Sequence, residues 1–261
     1  MSFNMALKTH TNTPANTPAN TAANVIAVAD AAALATAAAR RLIARVATSG
    51  RSAVCLTGGS SPQGLYRLLA VEPWRSQVPW DRVHWFMGDD RFVPQSDPLS
   101  NMGAARIAFL DATAPSQNIH AITTNAGDPE TAALLYEDEL KRFYGADRLD
   151  PARPLFDLVL MGLGGDGHTA SLFPHSAALA EKTRWVVGIA KAGMEPYVPR
   201  VTLTFPTLAS TREMLFLVDG AEKRTVLARV LDGEDLPAQR AHSNGELVWL
   251  IDRAAAPETT A

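Results

Sequence analysis

Short runs of apolar and β-branched residues alternate with helical segments along most of this chain, and the alternation limits the folds open to it. A strand, a helix and a second strand in succession form a right-handed crossover, and such units build a mostly parallel sheet with helices on both faces. The pattern therefore predicts an α/β fold with a doubly wound, mostly parallel sheet. The predicted strands are Val25–Ala29, Ser52–Thr57, Arg82–Met87, Phe156–Met161, Trp185–Ala190, Val201–Phe205, Met214–Val218 and Leu247–Ile251.

Capping residues mark the ends of the predicted helices. Asp30, Ser61 and Asp128 are the expected N-caps, and Gly50 is the expected stop of the first helix. The predicted helices run from Asp30 to about Ser49, from Ser61-Pro62 onwards, from Asp128 to about Tyr144, and over Ala221–Leu231.

The composition divides the chain into two parts. Residues 1–24 repeat Asn, Thr, Pro and Ala with no apolar period, and such a segment buries too little to offset its ordering entropy. No linker interrupts the alternation after that point. We therefore predict a disordered, low-complexity tail over 1–24 and a single α/β domain over 25–261.

The charge balance and the cysteine content narrow the partners of the protein. The chain has 24 Lys and Arg against 27 Asp and Glu, so it lacks the basic excess that neutralises nucleic-acid phosphates. Cys55 is the single cysteine and cannot form an internal disulfide, which favours the cytoplasm. No apolar run approaches the roughly 18 residues of a membrane span. We expect a cytoplasmic protein that binds a small molecule and neither nucleic acid nor membrane.

Three loops that follow predicted strands are the candidate site. In sheets of this kind, ligands bind to loops that leave the carboxyl ends of the strands. The loops after Thr57, Met87 and Met161 are all rich in glycine and polar or acidic residues.

The first of these loops contains Gly58, Gly59 and Ser60. Glycines permit positive φ, so that backbone N–H groups point inward at an anion, and the following helix adds a positive dipole end. A tight strand–helix turn with a serine cap explains the same residues equally well. The loop lacks the length and the Gly-Lys-Ser/Thr ending of a nucleotide P-loop.

The third loop, Gly162–Gly167, matches the G-x-G-x-x-G pattern of dinucleotide-binding proteins. That fingerprint opens a long helix in the first βαβ unit, whereas this one lies past the middle of the chain and Pro174 follows it closely. We therefore predict a Rossmann-like sheet without a dinucleotide site and without a nicotinamide cofactor.

His168, at the end of this loop, is the candidate proton acceptor, because an imidazole gains and loses a proton near neutral pH. Asp166 either holds the tautomer of that ring or faces the same cavity. No His-x-x-x-His or cysteine pair accompanies His168, so we expect a metal-free site. Structural roles are expected for the other histidines, which are His10, His84, His120, His175 and His242.

The second loop, Gly88-Asp89-Asp90-Arg91, places two carboxylates beside an arginine. Such a group can orient a polyol hydroxyl and bind an anion, although an exposed, salt-bridged turn has the same composition. Arg200 and Lys223 are further candidates for phosphate contacts, with ordinary surface charge as the alternative.

Taken together, these segments resemble the 6-phosphogluconolactonase family, which belongs to a larger group with glucosamine-6-phosphate deaminase. The resemblance covers roughly residues 25–252, and its most specific part is the segment 166–174, DGHTASLFP. The matching stretches are Leu56–Pro62, Gly88–Pro94, Asn101-Met102, Met161–Pro174, Arg200–Phe205 and Gly220–Lys223.

The resemblance implies hydrolysis of 6-phosphoglucono-1,5-lactone to 6-phosphogluconate in the oxidative pentose phosphate pathway, without a cofactor. It implies that His168 is the general base and that Asp166 is its neighbour in the motif. Asp90 stands where the family usually has glutamate, one methylene longer. The residues that the resemblance assigns to the substrate are Gly58, Gly59, Ser60, Asp89, Arg91, Arg200 and Lys223.

Two other functions remain open from the sequence. A sugar-phosphate isomerase or deaminase of this group carries a glutamate before the proline of the histidine motif, and here Phe173 precedes Pro174. A non-catalytic sugar-phosphate sensor of a transcription regulator would have a basic helix-turn-helix in front, where this chain has neutral Asn, Thr, Pro and Ala.

Overall fold

The structure is a computed structural model that describes residues 24–47 and 50–258. The tail predicted over 1–24 lies outside the described residues except for Asn24. The strands are β1 Asn24–Val28, β2 Ser52–Leu56, β3 Val83–Met87, β4 Asp89–Arg91, β5 Ile119–His120, β6 Leu158–Met161, β7 Val186–Ile189, β8 Arg200–Leu203, β9 Glu213–Val218 and β10 Glu246–Asp252. The helices are α1 Ala31–Ala47, α2 Gln63–Leu69, α3 Asn101–Ala105, α4 Asp111–Thr113, α5 Pro129–Tyr144, α6 Phe205–Ala209, α7 Arg224–Leu231 and α8 Pro237–Arg240.

Seven strands form the central sheet, in the order β1-β10-β9-β6-β2-β3-β5, and every neighbouring pair is parallel. Every residue of β2, β6 and β9 is buried. Because successive side chains of a strand point to opposite faces, both faces of these strands are covered. The predicted α/β fold with a mostly parallel sheet is confirmed.

The helix caps follow the sequence in two of three cases. Oδ1 of Asp30 accepts a hydrogen bond from Ala33 N at 2.8 Å, and Oδ1 of Asp128 accepts one from Thr131 N at 2.8 Å. The expected serine cap of α2 is wrong, because that helix begins at Gln63, after Pro62, without a side-chain cap. No helix among the described residues is long and apolar enough to cross a membrane.

A second, three-stranded antiparallel sheet in the order β4-β8-β7 lies beside the parallel one, and the sequence analysis did not foresee it. The chain leaves the central sheet at Gly88, whose carbonyl accepts a hydrogen bond from Leu203 N at 2.8 Å. The next residues pair with β8, so that Arg91 comes to lie opposite Arg200. This small sheet brings the second loop and the start of β8 together.

Glu137 of α5 joins that helix to the small sheet. Its side chain is 8% exposed and accepts hydrogen bonds from Lys141 Nζ at 2.7 Å, Arg184 Nε at 3.0 Å, Trp185 N at 2.9 Å and Val186 N at 3.2 Å. Burial opposes the charge of this carboxylate, but the four donors outweigh burial and hold its pKa below the ordinary value of 4.5.

We expect Glu137→Gln to lower the free energy of unfolding by about 2 kcal/mol, because two cations and two N–H groups lose a buried anionic acceptor. The folded-state pKa lies below the unfolded one. The stabilisation is therefore complete above about pH 4.5 and is lost as the pH falls through the folded-state pKa. Denaturant unfolding at neutral and acidic pH measures both effects.

Glu234→Gln is the matched control, because Glu234 pairs with Arg229 at the surface. It should leave the unfolding midpoint unchanged. An equally small effect of Glu137→Gln at neutral pH would contradict the role of Glu137 as the tie between α5 and the small sheet.

Candidate active site

The three loops meet at one cavity of about 240 Å³ at the carboxyl ends of β2, β3 and β6. It receives eight of the nine predicted site residues, and the ninth, Asp166, contacts His168 from outside the lining. The lining residues are Thr57, Gly58, Gly59, Ser60, Ser61, Asp89, Arg91, Asn101, Gly162, Leu163, Gly164, Gly165, His168, Thr169, Ala170, Met194, Glu195, Arg200 and Lys223.

Asp166 holds the imidazole of His168 through one ring nitrogen. His168 Nδ1 lies 2.6 Å from Asp166 Oδ1, and the same oxygen accepts a bond from His168 N at 3.0 Å. Burial would raise the pKa of Asp166, but the hydrogen bonds and charge of His168 outweigh it and hold that pKa below its usual value. An ionised carboxylate on Nδ1 places the proton of the neutral ring there and leaves Nε2 as the proton acceptor. Of the two roles considered for Asp166, this geometry favours orientation of the ring.

The His168 ring packs directly on the backbone of Gly164. A Cβ atom at Gly164 would lie 2.0 Å from His168 Nδ1 and 2.1 Å from Cε1, so no larger residue fits beneath the ring. Gly164 N donates to His168 O at 2.8 Å, and Gly167, at φ +84°, closes the turn with a bond to Gly164 O at 3.0 Å. These glycines serve a tight turn around the imidazole.

Phe173 is an apolar neighbour of both His168 and Arg200. Its ring centroid is 4.8 Å from that of His168, and the guanidinium carbon of Arg200 lies 5.9 Å from the Phe173 ring. Phe173 is buried. The position that carries a glutamate in the deaminase-like pattern therefore presents no carboxylate to the imidazole.

Two arginines face each other across β4 and β8. Arg91 Nη1 donates to Leu99 O at 2.7 Å, and its buried Nε has no hydrogen-bond partner among the described residues. Arg200 is buried and donates to Val198 O at 3.3 Å and Pro196 O at 2.9 Å. Burial and the charge of Arg91 lower the pKa of Arg200. Like charges on opposing strand positions repel, so an anion between them is stabilising.

The two adjacent acids of the second loop have different roles. Ser171 Oγ donates to Asp89 Oδ2 at 2.6 Å, and Asp89 lines the cavity. Asp90 is fully buried and does not line it. Of the two carboxylates that the sequence offered for contact with a ligand, only Asp89 lines the cavity, and the alternative of an exposed turn is wrong because both residues are buried.

Asp90 instead fixes the start of α3. It accepts hydrogen bonds from Arg91 N at 2.8 Å, Ser100 Oγ at 3.1 Å, Asn101 N at 2.6 Å and Met102 N at 3.1 Å. Burial raises its pKa to about 6 despite these donors. Asp90, which stands where the family usually has glutamate, therefore supports the site from beneath the lining and does not itself line the cavity.

The glycine loop has the positive φ that an anion cradle requires, with Gly59 at +89°. Gly58 lies against Asn101, because a Cβ atom at Gly58 would be 2.0 Å from Asn101 Oδ1. Lys223 reaches the cavity from the 3-10 turn Ala221–Lys223. His84, His120, His175 and His242 do not line the cavity, and His10 lies outside the described residues.

Four further residues reach the site without having been predicted from the sequence: Asn101, Ser171, Met194 and Glu195. Asn101 and Ser171 lie inside the segments that carry the family resemblance, and that was the available signal. Met194 and Glu195 belong to the connection between β7 and β8, which the small sheet carries over the site.

Fold and site together define an α/β protein that holds an oriented imidazole and several anion-binding groups in one cavity. A family model described as glucosamine-6-phosphate isomerases/6-phosphogluconolactonase matches residues 27–249, and the chain belongs to this family.

Relatives agree with this assignment over most of the chain. The chain is 40% identical over 220 residues to a 6-phosphogluconolactonase from Synechocystis sp., covering 82% of this chain and 88% of the relative. The crystal structure of 6-phosphogluconolactonase from Leishmania guyanensis is similar with a TM-score of 0.81 at 25% identity, over 92% of this chain and 100% of that one. The crystal structure of 6-phosphogluconolactonase from Thermotoga maritima is similar with a TM-score of 0.76 at 29% identity, over 88% of this chain and 100% of that one.

We expect Gly164→Ala to displace the His168 ring, because the added methyl group overlaps Nδ1 and Cε1. The hydrogen bond to Asp166 should break, and the pKa of the Asp166 carboxyl should rise towards its ordinary value. NMR measures both changes, through the ¹⁵N shifts of His168 and the ¹³C titration of Asp166.

Gly165→Ala is the matched control, because a Cβ atom at Gly165 meets nothing within 4 Å. It should leave both signals as in the wild type. If Gly164→Ala gives the same spectra as Gly165→Ala, the glycine at 164 is not what positions the imidazole.

Proposed function

We propose that this chain hydrolyses 6-phosphoglucono-1,5-lactone to 6-phosphogluconate, the second step of the oxidative pentose phosphate pathway. The observation that carries the proposal is the imidazole of His168, held by Asp166 at Nδ1, in the same cavity as the glycine loop and the arginines. The chain's relatives named 6-phosphogluconolactonase support the choice of substrate.

The phosphate is the group that the cationic part of the cavity would bind. Arg200 and Lys223 supply charge, and the N–H groups of the loop Gly58–Ser60 supply directional donors. Arg91, opposite Arg200, adds a guanidinium whose Nε has no partner of its own among the described residues. Binding of a dianion there relieves the repulsion between the two arginines and fixes the lactone ring relative to His168.

In the proposed reaction, His168 Nε2 takes a proton from a water molecule while the water oxygen attacks C1 of the lactone. The carbonyl becomes a tetrahedral oxyanion, whose stabilisation by each nearby donor is worth about 3 kcal/mol. The oxyanion then re-forms the carbonyl, the bond from C1 to the ring oxygen breaks, and the imidazolium returns its proton to that oxygen. Asp166 stabilises the imidazolium in between.

The site suits this chemistry better than the isomerase or deaminase chemistry of the wider family. An aldose–ketose rearrangement moves protons between carbon and oxygen, and it needs more than one acid or base near the sugar. Here the residue before the proline of the histidine motif is Phe173, which packs a phenyl ring against His168. Release of ammonia from glucosamine 6-phosphate would favour the deaminase, and binding without turnover would favour a sensor.

We further propose that residues 25–261 act as one domain in the cytoplasm, without a metal or organic cofactor. The free thiol of Cys55 is buried in the core, in keeping with a reducing compartment. The two cationic arginines and Lys223 supply the charge stabilisation for which a metal would otherwise serve.

We expect His168→Ala to lower the lactonase kcat by about 100-fold to 10,000-fold, the usual contribution of a general base. Asp166→Asn should also lower kcat, because the ring loses the carboxylate that holds its proton on Nδ1 and keeps Nε2 as the acceptor. The assay follows acid release from freshly generated lactone, with its spontaneous hydrolysis subtracted.

His242→Ala is the control, because His242 is exposed and does not line the cavity. It should turn over lactone at the wild-type rate. A folded His168→Ala protein with that same rate would remove His168 from the mechanism.

A further inference from the structure

Several groups that line the cavity can donate hydrogen bonds but cannot accept them. Arg91, Arg200, Lys223 and the loop N–H groups can only donate, and they suit a phosphate. A sugar lactone also carries ring hydroxyls, and each one that leaves water needs an acceptor for its proton. Among the lining residues, the side chains with an oxygen atom that only accepts hydrogen bonds are Asp89, Asn101 and Glu195.

Asn101 is the least expected of these acceptors, and its orientation is fixed. It is 6% exposed, and its Nδ2 donates to the backbone oxygen of Asp89 at 2.9 Å. A backbone carbonyl only accepts, so the amide nitrogen must occupy that side and Oδ1 the other. Oδ1 thus faces Gly58.

The Oδ1 atom of Asn101 has room on the cavity side and no competing donor. None of the described residues donates a hydrogen bond to it. It is also absent from the fully buried polar atoms that lack a partner, so Oδ1 is not fully buried. The Asn101 amide occupies the space that a Cβ atom at Gly58 would take, with Oδ1 2.0 Å from that position, so this orientation of Asn101 requires glycine at 58. An acceptor that is held rigidly and left open to a cavity suits a ligand hydroxyl.

We propose that Asn101 determines specificity for a hydroxylated ring, with Oδ1 accepting a hydrogen bond from one hydroxyl of the bound sugar lactone. The inference rests on the proposed lactonase function and adds a polar contact to the ring beside the phosphate contacts. The backbone N–H of Asn101 donates a hydrogen bond to Asp90 Oδ1 at 2.6 Å and anchors Asn101 at the start of α3. The bond from Nδ2 to Asp89 fixes the amide plane, so the acceptor is preorganised.

The test pairs enzyme variants with substrates that each lack one ring hydroxyl. The probes are 6-phosphogluconolactone and its 2-deoxy, 3-deoxy and 4-deoxy analogues. The wild type should lose about tenfold in kcat/KM with one of the three analogues, the size of one hydrogen bond to a neutral hydroxyl. Asn101→Leu, a near-isostere, should lose a similar factor with the full substrate and nothing further with that same analogue.

Ratios between two substrates on one enzyme preparation do not depend on the amount of folded protein. Asn101→Ala, a second variant, should show the same loss of discrimination. Asn118→Ala is the control, because Asn118 is also buried and donates to Trp80 O and Asp81 O without lining the cavity. It should keep the wild-type ratios.

The outcomes separate the two levels of the argument. No lactone turnover by the wild type above the spontaneous rate would overturn the proposed function itself. Turnover with equal kcat/KM for all four lactones would overturn the role of Asn101 alone. So would an Asn101→Leu enzyme that is weakened but discriminates as the wild type does, since that result would confine Asn101 to its bond with Asp89.

Discussion

The parallel pairing of β6, β2 and β3 is the constraint on which the site depends. Parallel neighbours direct their carboxyl ends to the same edge of the sheet, so three loops far apart in the chain must meet there. The glycine loop comes from β2, the acid–arginine loop follows β3, and the histidine loop follows β6. Because both faces of β2 and β6 are buried, a shift of one residue in this register would misplace side chains in both packed layers, so core packing also fixes the relative heights of the loops.

The arrangement of charged side chains is the second organising factor, and the small antiparallel sheet determines which charges lie next to each other. Pairing β4 with β8 places Arg91 and Arg200 on opposing positions, an arrangement that is unfavourable without a compensating anion. Part of the compensation is built in, because Asp89 and Asp90 lie on the same short strand and favour the charged state of Arg200. The bound phosphate supplies the rest in the proposed function.

Much of the fold and site could be predicted because the information is local. Alternating strands and helices, aspartate caps and glycines at strand ends each act within a few residues, and His168 with Asp166 is a local pair. The pairing of β4 with β8 in the small sheet could not be foreseen, because it joins residues more than a hundred positions apart. The role of Asp90 could not be predicted either, because its partners at the start of α3 lie 11 and 12 residues away and reach it only in the folded chain.

Phe173 shows how a single side chain can narrow the chemistry of a shared fold. A carboxylate beside His168 would offer a second proton acceptor and favour the imidazolium, which suits proton transfer at carbon. The phenyl ring does neither, and its centroid lies 4.8 Å from that of the imidazole, which Asp166 holds at Nδ1. The carboxylate in direct contact with the His168 ring is then that of Asp166. Ester hydrolysis needs the imidazole base twice, first to activate water and then to protonate the leaving oxygen, and it needs no second acid between the two steps.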